Sequence, residues 1–390
     1  MPTHPSAKAT TARGGSGAGD LLSQRALNRA LLARQHLLRR VEMPAADMIA
    51  HLVGIQAQAP YAPYIGLWTR LEGFQHAELA QLLTDRLAVR IALMRSTIHL
   101  VTARDCLALR PLIQPVLERG LNGTFGKRLA GLDIQALAAA GRALVEQQPR
   151  TFADLGALLL ERWPGRDPLA LANAVRALVP LVQIPPRGIW GAGGLATHTS
   201  AEAWLGRPLD PAPTPDEMIL RYLAAFGPAS VRDIQLWSGL TRLREATERL
   251  RPRLRSFRDE HGHELFDLPD APRPDPETPA PPRFLPEFDN LLLSHADRTR
   301  VVSDEHRKRT MTINGVIPGS VLLDGLFYGQ WTIKRQRGAA TLIIDLFEPL
   351  PQQGRNALAE EGARLLAFAA DAESHDIQFT VLPTSRSDRG

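Results

Sequence analysis

One stretch of the chain contains a complete succession of helices, turns and strands. Residues 214–268 read TPDEMILRYLAAFGPASVRDIQLWSGLTRLREATERLRPRLRSFRDEHGHELFDL. Thr214, Ser230 and Thr241 each precede apolar residues at helical spacing, so they predict the capped starts of three helices. Two short apolar runs around a polar tip then predict a β-hairpin. Three helices followed by a hairpin are typical of a winged helix-turn-helix, with a generic helical hairpin as the alternative.

The same order of helices followed by strands precedes this stretch twice. An amphipathic pattern predicts a first helix over 20–41, and a β-rich run follows at 91–101. Further helices lead to a strand at 181–184, with its predicted return at 189–190 after a Pro-Pro-Arg-Gly turn. We therefore predict three winged-helix modules, at 20–103, 104–210 and 211–270.

The ends of the chain differ from these modules. A Pro-rich linker is predicted at 271–283, and beyond it Asn-Gly, Asp-Gly and Arg-Gly turns separate strands in a unit at 284–390. Predicted elements of this unit are strands at 313–317, 320–323, 326–334, 340–347 and 377–382 and a helix at 355–372. Residues 1–19 are rich in Ser, Thr, Gly and Ala without an apolar core, which predicts a disordered leader. The predicted fold class is α+β, with tandem winged helix-turn-helix modules and a C-terminal β-rich α+β unit.

Composition limits the possible functions. Net charge is +5, and with only four lysines nearly all of the basic charge is arginine, which binds phosphate and base edges in a forked geometry. A GC-rich genome would give the same Arg- and Ala-rich composition, so nucleic-acid binding is permitted and not demanded. The single cysteine, Cys106, excludes an internal disulfide and a multi-cysteine metal site. No apolar run reaches the roughly 20 residues of a membrane span. We expect a cytoplasmic, nucleoid-associated protein without a cofactor, a bound metal or a membrane partner.

The segment Gln56-Ala57-Gln58 places two amide side chains two residues apart. If the preceding helix continued, Gln56 would lie on its apolar face, where an unpaired amide costs on the order of 1–3 kcal/mol. Pro60 instead favours an extended backbone before it, and residues two apart in an extended segment share a face. Both amides would then converge on one space while Ala57 packs the other way. Two glutamines that cap the end of a helix are the alternative.

Several segments resemble the AlkZ/YcaQ family of bacterial winged-helix DNA glycosylases. They are Gly54–Pro60, Pro63–Arg70, Met94–Val101, Arg187–Gly191, Leu285–Asp289 and His295–Arg298. The resemblance extends from about residue 22 to 385 and implies tandem winged helices around a concave face that holds DNA. It also implies a catalytic Gln–aliphatic–Gln motif at Gln56 and Gln58. The YcaQ branch has aspartate at the second position of the motif, so this chain, with Gln58, resembles the AlkZ branch. That branch is associated with removal of bulky N-alkylpurines and unhooking of interstrand crosslinks.

The chemistry of two amides narrows the reaction that this resemblance implies. An amide cannot accept a proton at neutral pH, so Gln56 and Gln58 can only orient water and stabilise developing charge. That suffices when alkylation at N7 or N3 has already made the purine cationic. No lysine lies near the motif, which argues against Schiff-base chemistry. We therefore expect a monofunctional DNA N-glycosylase whose partner is double-stranded DNA containing alkylated purines. A bulky or crosslinked lesion resists extrusion, so we expect an open cleft and not the closed pocket of a base-flipping enzyme.

Other side chains are weaker candidates for contacts with DNA. They are Arg95, Thr97, His99, Arg187, Trp190, His295 and Arg298. The first three alternate along a predicted strand and could face DNA, but a buried His99 bonded to a backbone carbonyl is an equal alternative. Trp190 could wedge beside a lesion or belong to the core. For His295 and Arg298, contact with a phosphate and pairing at a domain interface are equal alternatives.

Two functions without catalysis remain open. A winged-helix regulator could bind DNA or a small ligand, and a self-resistance protein could sequester a DNA-alkylating natural product without hydrolysis. Repressors usually bind palindromic sites as dimers, whereas the sequence shows no heptad pattern or dimerisation helix. The repeated modules instead favour a monomeric clamp.

Overall fold

The computed structural model describes residues 20–310 and 317–383, and it confirms the α+β class. The helices are α1 (Gln24–Arg34), α2 (Ala45–His51), α3 (Ala62–Trp68), α4 (His76–Thr84), α5 (Ala103–Leu129), α6 (Ile134–Gln147), α7 (Phe152–Arg162), α8 (Pro168–Leu178), α9 (Ala201–Leu205), α10 (Pro215–Phe226), α11 (Val231–Ser238), α12 (Arg244–Leu250), α13 (Asp304–Thr310) and α14 (Gln352–Ala369). The strands are β1 (Asp20–Leu22), β2 (Ile55–Gln56), β3 (Ala88–Ala92), β4 (Ile98–Thr102), β5 (Arg150–Thr151), β6 (Leu181–Gln183), β7 (Thr197–Ser200), β8 (Arg255–Asp259), β9 (Glu264–Asp267), β10 (Arg283–Leu285), β11 (Ser320–Leu323), β12 (Leu326–Gln336), β13 (Ala339–Leu346) and β14 (Ser374–Val381).

A six-stranded sheet has the strand order β2-β4-β3-β6-β7-β5. Its inner strands β3 and β4 have the sequences AVRIA and IHLVT, whose branched aliphatic residues suit a buried pleated surface. Strand β3 is antiparallel to both β4 and β6, with Ile91 opposite His99 on one side and Val182 on the other. Strands from the predicted modules at 20–103 and 104–210 therefore share one sheet. The proposed boundaries between the modules stay predictions.

Three helices and a hairpin form over 214–268. Helices α10, α11 and α12 precede the antiparallel pair β8 and β9. Ser230 caps α11, because its hydroxyl accepts a hydrogen bond from the Asp233 backbone N–H while the Asp233 carboxylate accepts one from the Ser230 N–H.

The predicted start of the third helix is wrong. Helix α12 begins at Arg244 and is not capped by Thr241. Arg242 has a left-handed φ of 60°, so a helix cannot run from Thr241 through this residue. The Leu243 backbone N–H is bound by the Gln235 side-chain oxygen at 2.9 Å, so a side chain from the preceding helix sets the entry of the chain into α12.

The helix predicted over 20–41 is also too long. Strand β1 comes first and pairs in parallel with β8. Ser23 then caps α1 by accepting a hydrogen bond from the Ala26 N–H. The helix ends at Arg34, and His36 follows with a left-handed φ of 52° that a helix cannot contain.

The return strand predicted at 189–190 is displaced along the chain. The next strand along the chain that pairs with β6 is β7, and residues 189–190 belong to the long turn between β6 and β7. The ring of Trp190 lies against other aromatic rings, 4.2 Å from the His76 ring and 5.1 Å from the Tyr64 ring. This packing takes the segment away from the sheet.

A five-stranded sheet of order β10-β11-β12-β13-β14 forms the C-terminal unit. Helix α14 connects β13 to β14, and these two strands are parallel, as the helical crossover allows. The predicted strand at 313–317 falls largely on residues 311–316, which lie outside the described residues, as does the predicted leader at 1–19. Within 20–310 and 317–383, no helix is long and apolar enough to cross a membrane.

Candidate active site

The chain is extended at Gln56, which ends strand β2, and it bends at Gln58. The glutamines therefore do not cap the end of a helix, and the predicted extended backbone reaches only the first of them. Gln56 lies opposite His99 in the β2–β4 pair, and the Ala57 backbone N–H donates to the Ile98 carbonyl at 2.7 Å. Ala57 is fully buried, Gln56 is buried and Gln58 is exposed. The pairing therefore places the second amide at the surface and the first one beneath it.

Gly54 permits the sharp entry into β2. Its φ is +96°, and a Cβ atom at this position would lie 2.6 Å from Cγ1 of Val101 and 3.1 Å from the Leu100 carbonyl oxygen. Only glycine combines this backbone conformation with so close an approach to β4. Gly54 thus fixes the distance between β4 and the segment that follows.

Both glutamine side chains are held by donors. The Gln56 Oε1 atom accepts a hydrogen bond from Nη2 of Arg95 at 2.8 Å. The Gln58 Oε1 atom accepts one from the Ile98 backbone N–H at 3.2 Å. Neither of these donors is a base, so the contacts orient the amides and take no proton from them.

Arg95 lies at the centre of this network. Besides Gln56 it donates to the Trp237 carbonyl at 2.6 Å and to Oδ1 of Asn290 at 2.9 Å. Burial, together with the nearby charge of Arg298, lowers the pKa of Arg95 to about 10, so the guanidinium stays charged at neutral pH. Sequence reasoning assigned Arg95 to DNA contact, whereas the structure places its guanidinium behind Gln56.

His99 is buried and does not present its ring at the surface. Its Nδ1 atom lies 3.1 Å from the Thr97 carbonyl oxygen, so Nδ1 carries the proton. Burial lowers the pKa of His99 to about 3, and the charge of Arg95 acts in the same direction. The DNA contact predicted for His99 is therefore wrong for this conformation, and the alternative of a buried histidine on a backbone carbonyl holds.

The remaining candidates lie in three places. Thr97 is half-buried beside Arg95, and its hydroxyl donates to the Met94 carbonyl at 3.0 Å. Arg187 is half-buried and donates to the Gly194 carbonyl within its own loop at 3.2 Å. Trp190 packs among the rings described above, so a role as a wedge beside the lesion is not supported by its position.

His295 and Arg298 differ in how deeply they are buried. His295 is buried, with Nε2 3.1 Å from the Phe226 carbonyl, and burial lowers its pKa to about 3. It therefore does not face DNA, and of the two alternatives its bond to the Phe226 carbonyl favours pairing between the segments predicted as separate units over contact with a phosphate. Arg298 is half-buried, close enough to Arg95 for their charges to interact. Of this pair, Arg298 stays a candidate for DNA contact.

Sequence reasoning missed two residues that hold the motif. Arg90 on β3 donates to the carbonyl of Ala57, the residue between the two glutamines, at 2.8 Å. Asn290 accepts from Arg95 and donates to the Gly54 carbonyl at 3.2 Å. Asn290 directly follows the segment Leu285–Asp289, so extending that resemblance by one residue would have found it. Nothing in the local pattern distinguishes Arg90 from other arginines.

Comparison with known proteins identifies the family of the chain. The family model described as DNA glycosylase AlkZ-like matches residues 49–368. The chain belongs to the AlkZ-like DNA glycosylase family. The resemblance inferred from the sequence segments is thereby confirmed.

Two relatives of this AlkZ-like glycosylase come from Streptomyces sahachiroi. An interstrand DNA cross-link repair glycosylase is 24% identical over 367 residues, which cover 85% of this chain and 94% of that protein. The solved structure of the S. sahachiroi DNA glycosylase AlkZ matches with a TM-score of 0.74 at 21% identity, covering 92% of this chain and all of that one (100%). The structural match shows a shared fold.

Proposed function

We propose that this protein hydrolyses the N-glycosidic bond of cationic N7- or N3-alkylated purines in double-stranded DNA and leaves an abasic site. The observation that carries the proposal is the pair of neutral amides on one segment, Gln56 held by Arg95 and Gln58 exposed beside it. Substrates include bulky adducts and interstrand crosslinks, the lesion named for the S. sahachiroi relative. The protein acts as a monomer without a cofactor.

The two amides have a limited task in this reaction. The alkylated purine leaves without protonation because it already carries a positive charge, and the sugar becomes oxocarbenium-like. Gln56 and Gln58 position the water that attacks the anomeric carbon. Because Gln58 is exposed, the reaction takes place at the surface of the sheet edge and does not require a deep pocket.

The surrounding fold supplies the DNA-binding frame. We interpret the helices and hairpin over 214–268 as a winged-helix module, and the preceding segments as two further modules. The α11 end of this module contacts the active site directly, since the Trp237 carbonyl accepts from Arg95. A module that binds duplex DNA would therefore also set the position of the lesion relative to the glutamines.

The first test measures release of N7-methylguanine from methylated duplex DNA under single-turnover conditions. We compare the wild type with Gln56→Ala and Gln58→Ala, and we score the abasic product by alkaline strand cleavage. Loss of one positioned amide should lower the rate by about 10²-fold or more, as for other groups that stabilise a transition state. Fluorescence anisotropy with the same duplex is the control, since both variants should retain their affinity for DNA.

The alternatives give different results. A regulator or a sequestering protein would release no base as wild type, and its binding would not depend on Gln56. Absence of base release by the wild type overturns the proposal, whereas DNA binding that does not depend on Gln56 is expected of a glycosylase as well. Release from a duplex crosslinked between two guanines, followed as separation of the strands on a denaturing gel, tests the finer claim about crosslinks.

A further inference from the structure

The turn that carries Arg95 is built in an uncommon backbone conformation. Arg95 and Ser96 have φ values of 56° and 60°, in the left-handed region that residues with a Cβ atom rarely occupy. Such conformations persist only where the surrounding contacts hold them, and they are concentrated at functional sites. The end of α11 supplies such contacts: a Cβ atom at Gly239 would lie 3.3 Å from the Arg95 nitrogen and 2.8 Å from Val116.

The partners of Arg95 are all neutral. Its guanidinium donates to the side-chain oxygens of Gln56 and Asn290 and to the Trp237 carbonyl. These groups belong to β2, to the turn before α13 and to α11, which are far apart in the sequence. One side chain thus joins the catalytic segment to two other parts of the fold.

This contact determines which way the Gln56 amide points. A guanidinium has only donors, so the atom that faces it must be Oε1. Rotating the amide by half a turn would place the NH2 group against the Arg95 N–H groups and lose a charge-assisted bond. Drawing electron density toward Oε1 also makes the Nε2 group a better donor. Gln58, by contrast, is held by a neutral backbone N–H.

We propose that Arg95 is a positioning residue for base release, which fixes the Gln56 carboxamide with Oε1 inside and presents its Nε2 amino group to the DNA. The inference rests on the proposed function of Gln56. It assigns Gln56 as a hydrogen-bond donor to the substrate or its water, while the exposed Gln58 contributes the amide that is not polarised by a cation. Arg95 itself does not touch the reacting atoms.

The test is a double-mutant cycle on the single-turnover rate at saturating enzyme, with Arg95→Met, Gln56→Ala and the double variant. Since Arg95 acts through Gln56, Arg95→Met should lower the rate by about 10- to 100-fold in the wild-type background. In the Gln56→Ala background the same change should have less than about a 3-fold effect. Equal factors in both backgrounds would mean that Arg95 acts through the fold or through DNA binding, and would overturn the inference.

Arg110 provides a matched control. It is buried, its burial lowers its pKa to about 10, and it donates to a glutamine oxygen (Gln114 Oε1, 2.5 Å) and a backbone carbonyl (Ala177, 2.8 Å). Arg110→Met therefore removes a similar guanidinium away from the motif, and it should leave the saturating rate unchanged.

A second measurement does not depend on activity. In protein labelled with 15N-glutamine, the side-chain NH2 signals of Gln56 should move toward the positions of an unrestrained glutamine when Arg95 is replaced by methionine, because the whole carboxamide then reorients about the Cγ–Cδ bond. Arg110→Met should leave these signals in place. If the wild type releases no base, the proposed function fails and the spectrum alone decides the role of Arg95. Unchanged Gln56 signals in Arg95→Met would overturn the inference even in an active enzyme.

Discussion

Replacing Asp289 by asparagine would remove one charge of a buried ion pair while keeping the size of the side chain. The Asp289 carboxylate accepts two hydrogen bonds from Arg70, at 2.9 and 3.0 Å, and each side chain is only 2% exposed. Arg70 also donates to the Gly66 carbonyl at 2.9 Å and to Oε1 of Gln35 at 3.1 Å. The pair joins the chain just after α3 to the turn that carries Asn290, and Asn290 in turn accepts a hydrogen bond from Arg95 of the site.

The expected cost follows from the burial of the remaining charge. In Asp289→Asn the Arg70 guanidinium keeps neutral acceptors but loses its counter-charge, and breaking a buried pair in this way costs about 3–5 kcal/mol. The cap on the following turn, where the Leu291 N–H donates to Oδ1 of Asp289 at 2.9 Å, can be kept by the asparagine oxygen. Urea unfolding followed by tryptophan fluorescence and circular dichroism should therefore show a large loss of unfolding free energy at an unchanged denaturant slope.

An exposed ion pair gives the control for this prediction. Asp304 binds Arg307 at 2.9 Å, with side-chain exposures of 66% and 45%, so Asp304→Asn should cost less than about 1 kcal/mol. The combined change Arg70→Met and Asp289→Leu should cost less than the sum of the two single changes, because no unpaired charge remains. If Asp289→Asn were no more costly than Asp304→Asn, the reasoning from burial would be refuted.

Two further predictions concern the backbone and the pH dependence of the site. Gly54→Ala should cost about 1–3 kcal/mol of stability and lower the rate of base release more than the affinity for DNA, since its Cβ would lie 2.6 Å from Val101. Gly73→Ala is the control: its φ is +67° and nothing lies within 4 Å, so it should show only the backbone strain of about 1 kcal/mol. The folded pKa of His99, about 3, lies below its ordinary value, so the unfolded chain takes up a proton that the folded protein does not, and stability present above pH 6.5 is lost as the pH falls toward 3. Between pH 7 and pH 5 this residue should account for about 2 kcal/mol, measured as a smaller loss in His99→Gln than in the wild type; equal losses would contradict the assignment.

Rules based on neighbouring residues predicted helix starts correctly where no contact with a distant residue intervened. Ser230 was predicted to start a helix because a hydroxyl at that position can bind the free N–H groups of the first turn, and it does so. Thr241 satisfied the same rule, but it does not start a helix. The Leu243 N–H donates instead to the side chain of Gln235 in the preceding helix. The return strand at 189–190 failed for a similar reason, since contacts between Trp190 and distant rings outweighed the strand pattern.

The candidate site was predictable only in part. Pro60 and the spacing of the amides allowed an extended backbone as one of two alternatives, and the assignment of the two glutamines to the site came from the resemblance to the family. That Arg95 would face Gln56 and not DNA could not be predicted, since it depends on a left-handed turn and on acceptors 142 and 195 residues away along the chain. Burial removed His99 and His295 from the surface, because their hydrogen bonds go to backbone carbonyls within the core.

The guanidinium of Arg95, close to the proposed reaction, also bears on the proposed choice of substrate. When a cationic N-alkylpurine departs, the positive charge moves from the base to the sugar and the total charge near Arg95 does not change. Its repulsion is then similar in the ground state and the transition state and largely cancels in the barrier. A neutral purine must instead separate charge, and its departing base needs protonation that neither Gln56 nor the neutral His99 can supply. The site can therefore place a charged residue behind Gln56 without a large penalty for alkylated purines, while unmodified bases gain little from it.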